Sequence, residues 1–203
     1  MTASAHPPPS AAPPRLSLSF KIYVAIAIGI ILAMFFPFWI ANPKFEYQRN
    51  RCAANLMQIG LALKAYANDN DGLYPPSPVE LFPRWLTGRS ESLFVCPARG
   101  EMPRDWPHRR DDYAELTYSY RYVAYPTNTT QAVLAGLPIM FDKGTNHLYS
   151  GRNVLFGNGK VEWFKCSLLP AKLSSLASSE ALPPACREVL KQTLKTVEEE
   201  GGK

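Results

Sequence analysis

The stretch that decides the fold runs from Ile22 to Ala41 and reads IYVAIAIGIILAMFFPFWIA. It contains no charged residue, and a helix of about 20 residues at 1.5 Å per residue reaches about 30 Å, the thickness of a bilayer's hydrocarbon core. Tyr23 and Trp39 lie near its two ends, where amphipathic rings favour the membrane interface. The stretch therefore predicts a single membrane-spanning helix, with Ile22, Pro37 and Trp39 within it.

Two other interpretations apply to an apolar N-terminal stretch, a buried core helix and a cleaved signal peptide. A core helix of this length normally shows a polar face, and none is visible here. A signal peptide has a shorter apolar region followed by a small-x-small cleavage site, and Pro37, Phe38 and Trp39 occupy that place. We therefore expect a retained anchor over 16–41, with a kink at Pro37.

Composition predicts one modest domain behind the anchor. The chain has 203 residues, and the roughly 160 after the anchor are enough for one core. Its net charge is +5, but 22 Lys and Arg are interspersed with 17 acidic residues. Since no basic stripe alternates with aromatic residues, we expect no nucleic-acid partner. Residues 1–15 are rich in Pro and Ala and too poor in apolar side chains to fold.

An amphipathic helix is predicted over 42–72. Apolar residues recur there at spacings of four, three, four and three, which places them on one helix face. They are Cys52, Leu56, Ile59, Leu63 and Tyr66. Gly72 and the prolines after it predict the end of this helix. The sequence thus predicts a helix, interrupted at Pro43, that leads from the membrane into a head whose other elements cover this apolar face.

The head, 73–166, is predicted to hold a short helix over 78–86 and then strands. Residues 116–125 alternate between two faces, as in a half-buried strand. Residues 136–142 form a second candidate, which Pro138 confines to a sheet edge or to a start after the proline.

The sharpest local pattern is a hairpin at 153–164, NVLFGNGKVEWF. Asn158-Gly159 suits a two-residue type I′ turn. Such a turn would place four apolar side chains on one face: Val154, Phe156, Val161 and Trp163.

The C-terminal extension, 167–203, is rich in Ser and Ala after Pro170 and carries little pattern. A final helix is predicted over about 184–200, with Val189, Leu190, Leu194 and Val197 turned inward. The expected fold class is α+β, in which a long N-terminal helix continues into a head with a three- to four-stranded antiparallel sheet and a C-terminal helix.

The four cysteines are Cys52, Cys96, Cys166 and Cys186. They form no CxxC, and no pair has zinc-ligand spacing with histidine, so the spacing predicts no metal site. An even number behind a membrane anchor suits disulfides in an oxidising compartment, with three possible pairings. Four free buried thiols would be expected instead if the head faces the cytosol.

His147 is the histidine best placed for chemistry, because Asp142 and Ser150 are close in sequence. These residues crowd one short loop, and no G-x-S-x-G nucleophile elbow is present. We therefore expect a structural histidine, hydrogen-bonded beside the hairpin, and no catalytic or cofactor-binding residue. A calcium ion at Asp142 and nearby loop oxygens is a minor alternative, and Asn68–Gly72 lacks the glutamate of a calcium loop.

Five segments together resemble the bacterial pseudopilin-like proteins of the prepilin-type family, including the type II secretion pseudopilins and the sets found in planctomycetes and verrucomicrobia. These segments are 52–72, Tyr74-Pro-Pro, Phe94-Val-Cys-Pro, 142–147 and 151–163. They occur in the family's order, and the likeness covers roughly residues 16 to 165.

The resemblance implies a hydrophobic N-terminal helix that runs into an α/β head of a few antiparallel strands. It also implies a structural role in a short periplasmic filament, an inner-membrane location with the N-terminus inside, and other pseudopilin-like subunits or secretion components as partners beside the lipid bilayer. A Cys52–Cys96 bridge is implied as well, which leaves Cys166 with Cys186.

The sequence departs from the family pattern at its processing site. With Pro37 placed on the family's helix proline, Arg15 stands where the peptidase needs glycine, and Phe20 stands where assembling subunits carry glutamate. Asn158 replaces the usual aspartate of the C-terminal motif, and one extra residue follows His147. We therefore expect an unprocessed, permanently anchored protein.

The leading hypothesis is a single-pass, non-enzymatic structural or interaction protein of pseudopilin type with an extracytoplasmic head. The alternative is an anchored glycan- or protein-binding domain that uses the Tyr-rich strand over 116–125 and its neighbouring loops. An anchored hydrolase that uses His147 is a distant third.

Overall fold

The computed structural model describes residues 17–82, 84–86, 92–99, 119–147 and 150–201, without the side chains of 37–43. Its helices are α1 (Leu18–Asp69), α2 (Gln131–Leu134), α3 (Leu169–Ala177) and α4 (Pro184–Gly201). Its strands are β1 (Tyr120–Tyr122), β2 (Pro138–Asp142), β3 (Gly151–Phe156) and β4 (Val161–Lys165). The α+β class is thereby confirmed. The chain divides into two units, Met1–Pro43 and Lys44–Lys203.

The first unit contains the apolar part of α1. Residues Leu18–Phe36 form a helical segment long and apolar enough to cross a membrane, and none of it is buried. A signal sequence near the N-terminus also passes this test of length and hydropathy, so the segment is an N-terminal apolar helix that could span a membrane or be a signal sequence. The kink at Pro37 stays a prediction, and the side chains of Pro37 and Trp39 lie outside the described ones.

In the second unit, α1 supplies one wall of the core. The predicted apolar face is confirmed, because Cys52, Leu56, Ile59 and Leu63 are fully buried, and Tyr66 is half-buried against Trp85, with 4.8 Å between the ring centroids. The helix ends in the predicted stretch. There the Gly72 N–H donates to the carbonyl oxygen of Ala67 at 2.8 Å, and Asp71 and Gly72 have φ of +53° and +77°, which is a left-handed helix stop.

The four strands form one antiparallel sheet in the order β1-β2-β3-β4. Both interior strands, β2 and β3, are buried along their whole length. Pro138 is the first residue of β2, and the register shifts beside it. The proline therefore lies at a strand start, as predicted, because there it removes no hydrogen bond from the middle of the ladder. Of the strand predicted over 116–125, Tyr120–Tyr122 is strand, and residues 116–118 lie outside the described ones.

The hairpin at 153–164 is confirmed, but its turn and register are not those predicted. The Gly159 amide donates to the Phe156 carbonyl at 2.8 Å, and the Phe156 amide donates to the Lys160 carbonyl at 2.9 Å. Gly159 has a φ of +87° and Asn158 does not have a positive φ. The loop is therefore a three-residue turn with a glycine bulge, since a type I′ turn needs positive φ at both central residues.

The extra loop residue moves the pairing by one. Leu155 lies opposite Val161, and Asn153 lies opposite Trp163. Opposite residues of an antiparallel pair share a face, so these four side chains face α1. Val154 and Phe156 lie on the other face, and the predicted single face was wrong because a slip of one residue reverses every side chain.

The C-terminal extension contains two helices. The predicted α4 is confirmed, with Leu190 and Val197 buried and Val189 and Leu194 half-buried. The helix α3 was not predicted, although it buries Leu169, Leu173 and Ala177 at regular spacings of four. That spacing was a detectable helical pattern within the Ser- and Ala-rich segment. The short helix predicted over 78–86 is a 3-10 turn at Pro78–Leu81, with Ser77 as its N-cap.

A pair of glycine substitutions tests the hairpin's docking. A Cβ at Gly157 would lie 2.1 Å from the backbone oxygen of Leu134, whereas a Cβ at Gly136 meets nothing within 4 Å. We expect Gly157→Ala to lower the free energy of unfolding by about 1–3 kcal/mol, as overpacking does, and Gly136→Ala to leave it nearly unchanged. Thermal unfolding of the detergent-solubilised full chain measures both. Equal stability of the two variants would contradict the docking described.

Candidate functional site

A buried carboxylate–imidazole pair lies at the end of the central strand. Asp142 is the last residue of β2, and His147 closes the 3-10 turn Gly144–His147 that follows it. Both side chains are fully buried, with 3.1 Å between Asp142 Oδ2 and His147 Nε2. The short turn therefore brings the His147 imidazole back against the end of β2.

Asn153, on β3, fixes the orientation of this carboxylate. Its backbone N–H donates to Asp142 Oδ2 at 3.0 Å and its side-chain amide at 2.8 Å. The same amide donates to the backbone oxygen of Arg49 on α1 at 3.2 Å. One carboxylate oxygen thus has two amide donors and the imidazole, while Asp142 Oδ1 is buried with no hydrogen-bond partner among the described residues.

The disulfide between Cys52 and Cys96 forms the next wall of the cluster. This pairing is confirmed, with 5.2 Å between the two Cα atoms. Cys96 Sγ lies 3.6 Å from His147 Nε2. Cys52 is on α1 and Cys96 is on the segment 92–99, so the bridge joins the helix to a segment that contacts the histidine.

The remaining two cysteines are not joined. Cys166, just after β4, and Cys186, in the first turn of α4, are both free thiols. Cys186 is buried with its sulfur 3.8 Å from the hydroxyl of Thr129. The pairing that the family resemblance left for these two cysteines is therefore absent, because Cys186 packs as a small apolar side chain inside the core.

Aromatic rings close the cluster on the α1 side. The His147 ring lies edge-on to Trp163, with 5.3 Å between centroids, and edge-on to Phe45 at 6.1 Å. The guanidinium of Arg49 lies 5.3 Å from the centroid of Trp163. The predicted histidine beside the hairpin is thus found in a buried site, where electrostatic interactions are stronger than in water.

Asp142, His147 and Ser150 are not arranged as a catalytic triad. Ser150 Oγ donates to the backbone carbonyl of His147 at 2.6 Å, so the hydroxyl is used by the main chain. The 68–72 segment is a helix end in which Asp69 accepts from the Trp85 indole at 3.1 Å. Around Asp142 the polar neighbours are nitrogen donors and sulfur rather than the six or more oxygens that calcium prefers.

A second charged cluster lies behind the sheet, against α4. Arg152 is only 1% exposed, and its guanidinium donates to Glu200 Oε2 at 2.6 Å. Arg121 on β1 donates to the other oxygen of Glu200 at 2.5 Å. Arg152 also reaches the backbone oxygen of Asp142 at 3.4 Å. The helix α4 thus supplies the carboxylate for an arginine that the sheet buries.

The pKa values of Glu200 and Tyr120 are shifted by burial and by neighbouring charges. Burial acts to raise the pKa of Glu200, but hydrogen bonds and charge from Arg121 and Arg152 outweigh it and hold that pKa below its usual value. Burial and, second, the Asp142 carboxylate raise the pKa of Tyr120 well above its ordinary value. Tyr120 therefore stays a neutral phenol, close to the Asn55 amide at 3.5 Å.

Sequence reasoning missed three residues of these clusters: Asn153, Arg152 and Glu200. The first two are polar residues that begin an apolar strand, a pattern that indicates a buried polar partner. Glu200 had no such signal, because its partners lie on strands distant in sequence.

Comparison of the chain with family models, with curated proteins and with solved structures found no match.

The Glu200 cluster predicts a specific acid sensitivity. Glu200 has a lower pKa folded than unfolded, so its contribution to stability is complete above about pH 4.3 and is lost as the pH falls through the folded value. At pH 7 we expect Glu200→Gln to lower the free energy of unfolding by about 2 kcal/mol, since Arg152 loses its counter-charge while buried.

The matched control is Glu198→Gln, an exposed position on the same helix, which should behave as the parent chain does. Thermal unfolding between pH 3 and pH 7 should show a weaker pH dependence for Glu200→Gln than for the parent. Parallel pH curves for all three chains would contradict the assignment.

Proposed function

We propose that the chain is a single-pass, membrane-anchored, pseudopilin-like protein with a structural or interaction role and an extracytoplasmic head. The observation that carries the proposal is that one α-helix includes both an unburied apolar segment, Leu18–Phe36, and the buried face of the folded head, Cys52–Ala67. A helix that supplies both an anchor and a core wall is the plan of the pseudopilin-like proteins that the sequence resembles.

The Cys52–Cys96 disulfide supports the proposed side of the membrane. Disulfides form and persist outside the reducing cytosol, so the head is proposed to lie on the periplasmic face of a bacterial inner membrane, with the N-terminus inside. Arg15 and Lys21 lie before the apolar segment, and Lys44, Arg49 and Arg51 lie after it. The positive-inside rule therefore does not choose between the two orientations, and the proposed topology rests on the disulfide.

In this proposal the N-terminal apolar helix is retained as an anchor and is not cleaved by a prepilin peptidase. Arg15 and Phe20 replace the glycine and glutamate that the resemblance would require for cleavage and docking of subunits. The partners are therefore the bilayer and, through the head, other pseudopilin-like subunits or secretion components rather than a filament held by membrane-embedded acids.

A binding domain is the second candidate, and a groove between β1 and α4 favours it. The groove is lined on one side by Arg121–Ala124 and on the other by residues of α4 such as Val189 and Gln192. Among the described tyrosines of the 116–125 stretch, Tyr122 lines this groove, whereas the other two do not. Tyr120 and Tyr125 are buried, and the Tyr125 hydroxyl donates to the Pro138 carbonyl at 3.1 Å.

The free thiol of Cys166 tests the topology. It is partly exposed, whereas Cys186 is buried. We expect a membrane-impermeant maleimide to label Cys166 in spheroplasts without lysis, because the head lies outside the membrane. The Cys166→Ser chain is the control and should lose the label. Labelling that requires permeabilised cells would contradict an extracytoplasmic head.

The intact mass of membrane-extracted protein tests retention of the N-terminus. We expect the full-length mass in the membrane fraction after an alkaline wash, since the apolar helix is an uncleaved anchor. Loss of the first fifteen residues with a methylated new N-terminus would instead demonstrate prepilin-type processing. A soluble, shortened chain would demonstrate a cleaved signal sequence.

A further inference from the structure

Four potential metal-ligand atoms converge beside α1. They belong to Cys52, Cys96, Asp142 and His147, all four residues are buried, and their ligand atoms lie within 4.8 Å of one another. They come from three separate segments of the chain, of which one carries both Asp142 and His147, so no metal-ligand spacing in the sequence reveals the group. Two sulfurs, one imidazole nitrogen and one carboxylate oxygen are ligand types that zinc(II) accepts in tetrahedral sites.

The distances suit such a tetrahedron. Zinc bonds of about 2.3 Å to sulfur and about 2.0–2.1 Å to nitrogen and oxygen place neighbouring ligands about 3.3–3.8 Å apart. Cys96 Sγ lies 3.6 Å from His147 Nε2, and that nitrogen lies 3.1 Å from Asp142 Oδ2. The imidazole and carboxylate therefore need only small adjustments around a central ion.

The disulfide and the metal exclude each other, because zinc binds thiolates and not a disulfide. We propose that reduction of Cys52–Cys96 converts this cluster into a zinc(II) site, with both cysteine sulfurs, His147 Nε2 and an Asp142 oxygen as ligands. On reduction the S–S bond is broken, and the two sulfurs must move to about 3.7 Å apart to bind one zinc ion. Rotation of the two cysteine side chains supplies this movement.

One of the proposed ligands, the Asp142 carboxylate, is already held in place. Asn153 donates twice to Asp142 Oδ2, which fixes the carboxylate as outer partners of metal ligands do. Asp142 Oδ1, buried and without a partner among the described residues, supplies a second oxygen that the ion can use. Soft sulfur and imidazole ligands select zinc over calcium and magnesium, which prefer oxygen.

The chemistry balances with a dithiol as reductant. The dithiol passes two electrons and two protons to the Cys52–Cys96 bond, is itself oxidised to a disulfide, and two thiols form on this chain. Zinc(II) then displaces both thiol protons, which go to water. Both the disulfide-bonded state and the zinc-bound state link α1 to the segment that carries Cys96. In a chain whose cysteines are still reduced, zinc therefore takes the place of the disulfide and also joins these segments to the end of β2.

The test uses the full chain in detergent, reduced with a phosphine, freed of reductant without oxygen, and titrated with zinc(II) against a chromophoric chelator. We expect one tightly bound zinc per reduced chain and none on the oxidised chain. Cobalt(II) in place of zinc should give the ligand-field bands of a tetrahedral site and a thiolate-to-metal charge-transfer band.

Variants distinguish this site from adventitious thiol binding. Cys166→Ser/Cys186→Ser should retain full affinity, whereas His147→Ala should lose more than about 10-fold and Asn153→Ala about 10- to 100-fold. Near-ultraviolet circular dichroism of the oxidised variants checks their fold. A second comparison does not depend on the fold of the His147 and Asn153 variants. It uses Cys52→Ser/Cys96→Ser, which removes the two sulfur ligands and retains His147 and Asp142. The proposal is overturned if the reduced parent binds no more zinc than this double variant, or if a folded His147→Ala chain binds as tightly as the parent.

Discussion

The structure depends on the need to cover one apolar face of α1. In the part of the head that the structure describes, the sheet meets this face closely enough that a Cβ at Gly60 would lie 2.9 Å from a methyl group of Leu155. Burial of this kind contributes about 25 cal/mol for each Å² of apolar surface removed from water. The turn that sets the hairpin register therefore has a large effect, because it decides whether Leu155 or Val154 faces the helix.

A polar centre complements this apolar contact. Asp142 joins β2 to β3 through Asn153 and to the following turn through His147, and the disulfide beside it joins α1 to the segment that carries Cys96. A buried polar network of this kind favours one arrangement of its elements over others, since each unmet hydrogen bond is costly in a medium of low dielectric. On the opposite side of the sheet, Glu200 brings the end of α4 to Arg152, so the C-terminal helix is attached by charge as well as by its apolar face.

Much of this organisation could be predicted from local patterns. The apolar segment, the helix face from Cys52 to Tyr66, the hairpin and α4 each follow a periodicity that is complete within a short stretch. The hairpin register could not be predicted, because Asn158-Gly159 suits both a two-residue turn and a turn with a bulge. The ligand-like cluster of Asp142 and His147 with two cysteines was also missed, since it is assembled by tertiary contacts between segments without metal-ligand spacing. The resemblance to pseudopilin-like proteins supplied the Cys52–Cys96 pairing, which residue spacing alone had left among three alternatives.

The most direct test of this account is the state of the cysteines in the protein isolated from membranes under alkylating, non-reducing conditions. Peptide mapping by mass spectrometry should find Cys52 linked to Cys96, with Cys166 and Cys186 alkylated after denaturation. This result would place the bridge where α1 meets the buried Asp142–His147 pair. A link between Cys52 and either C-terminal cysteine would contradict the account, because it would require a different packing of the head on α1.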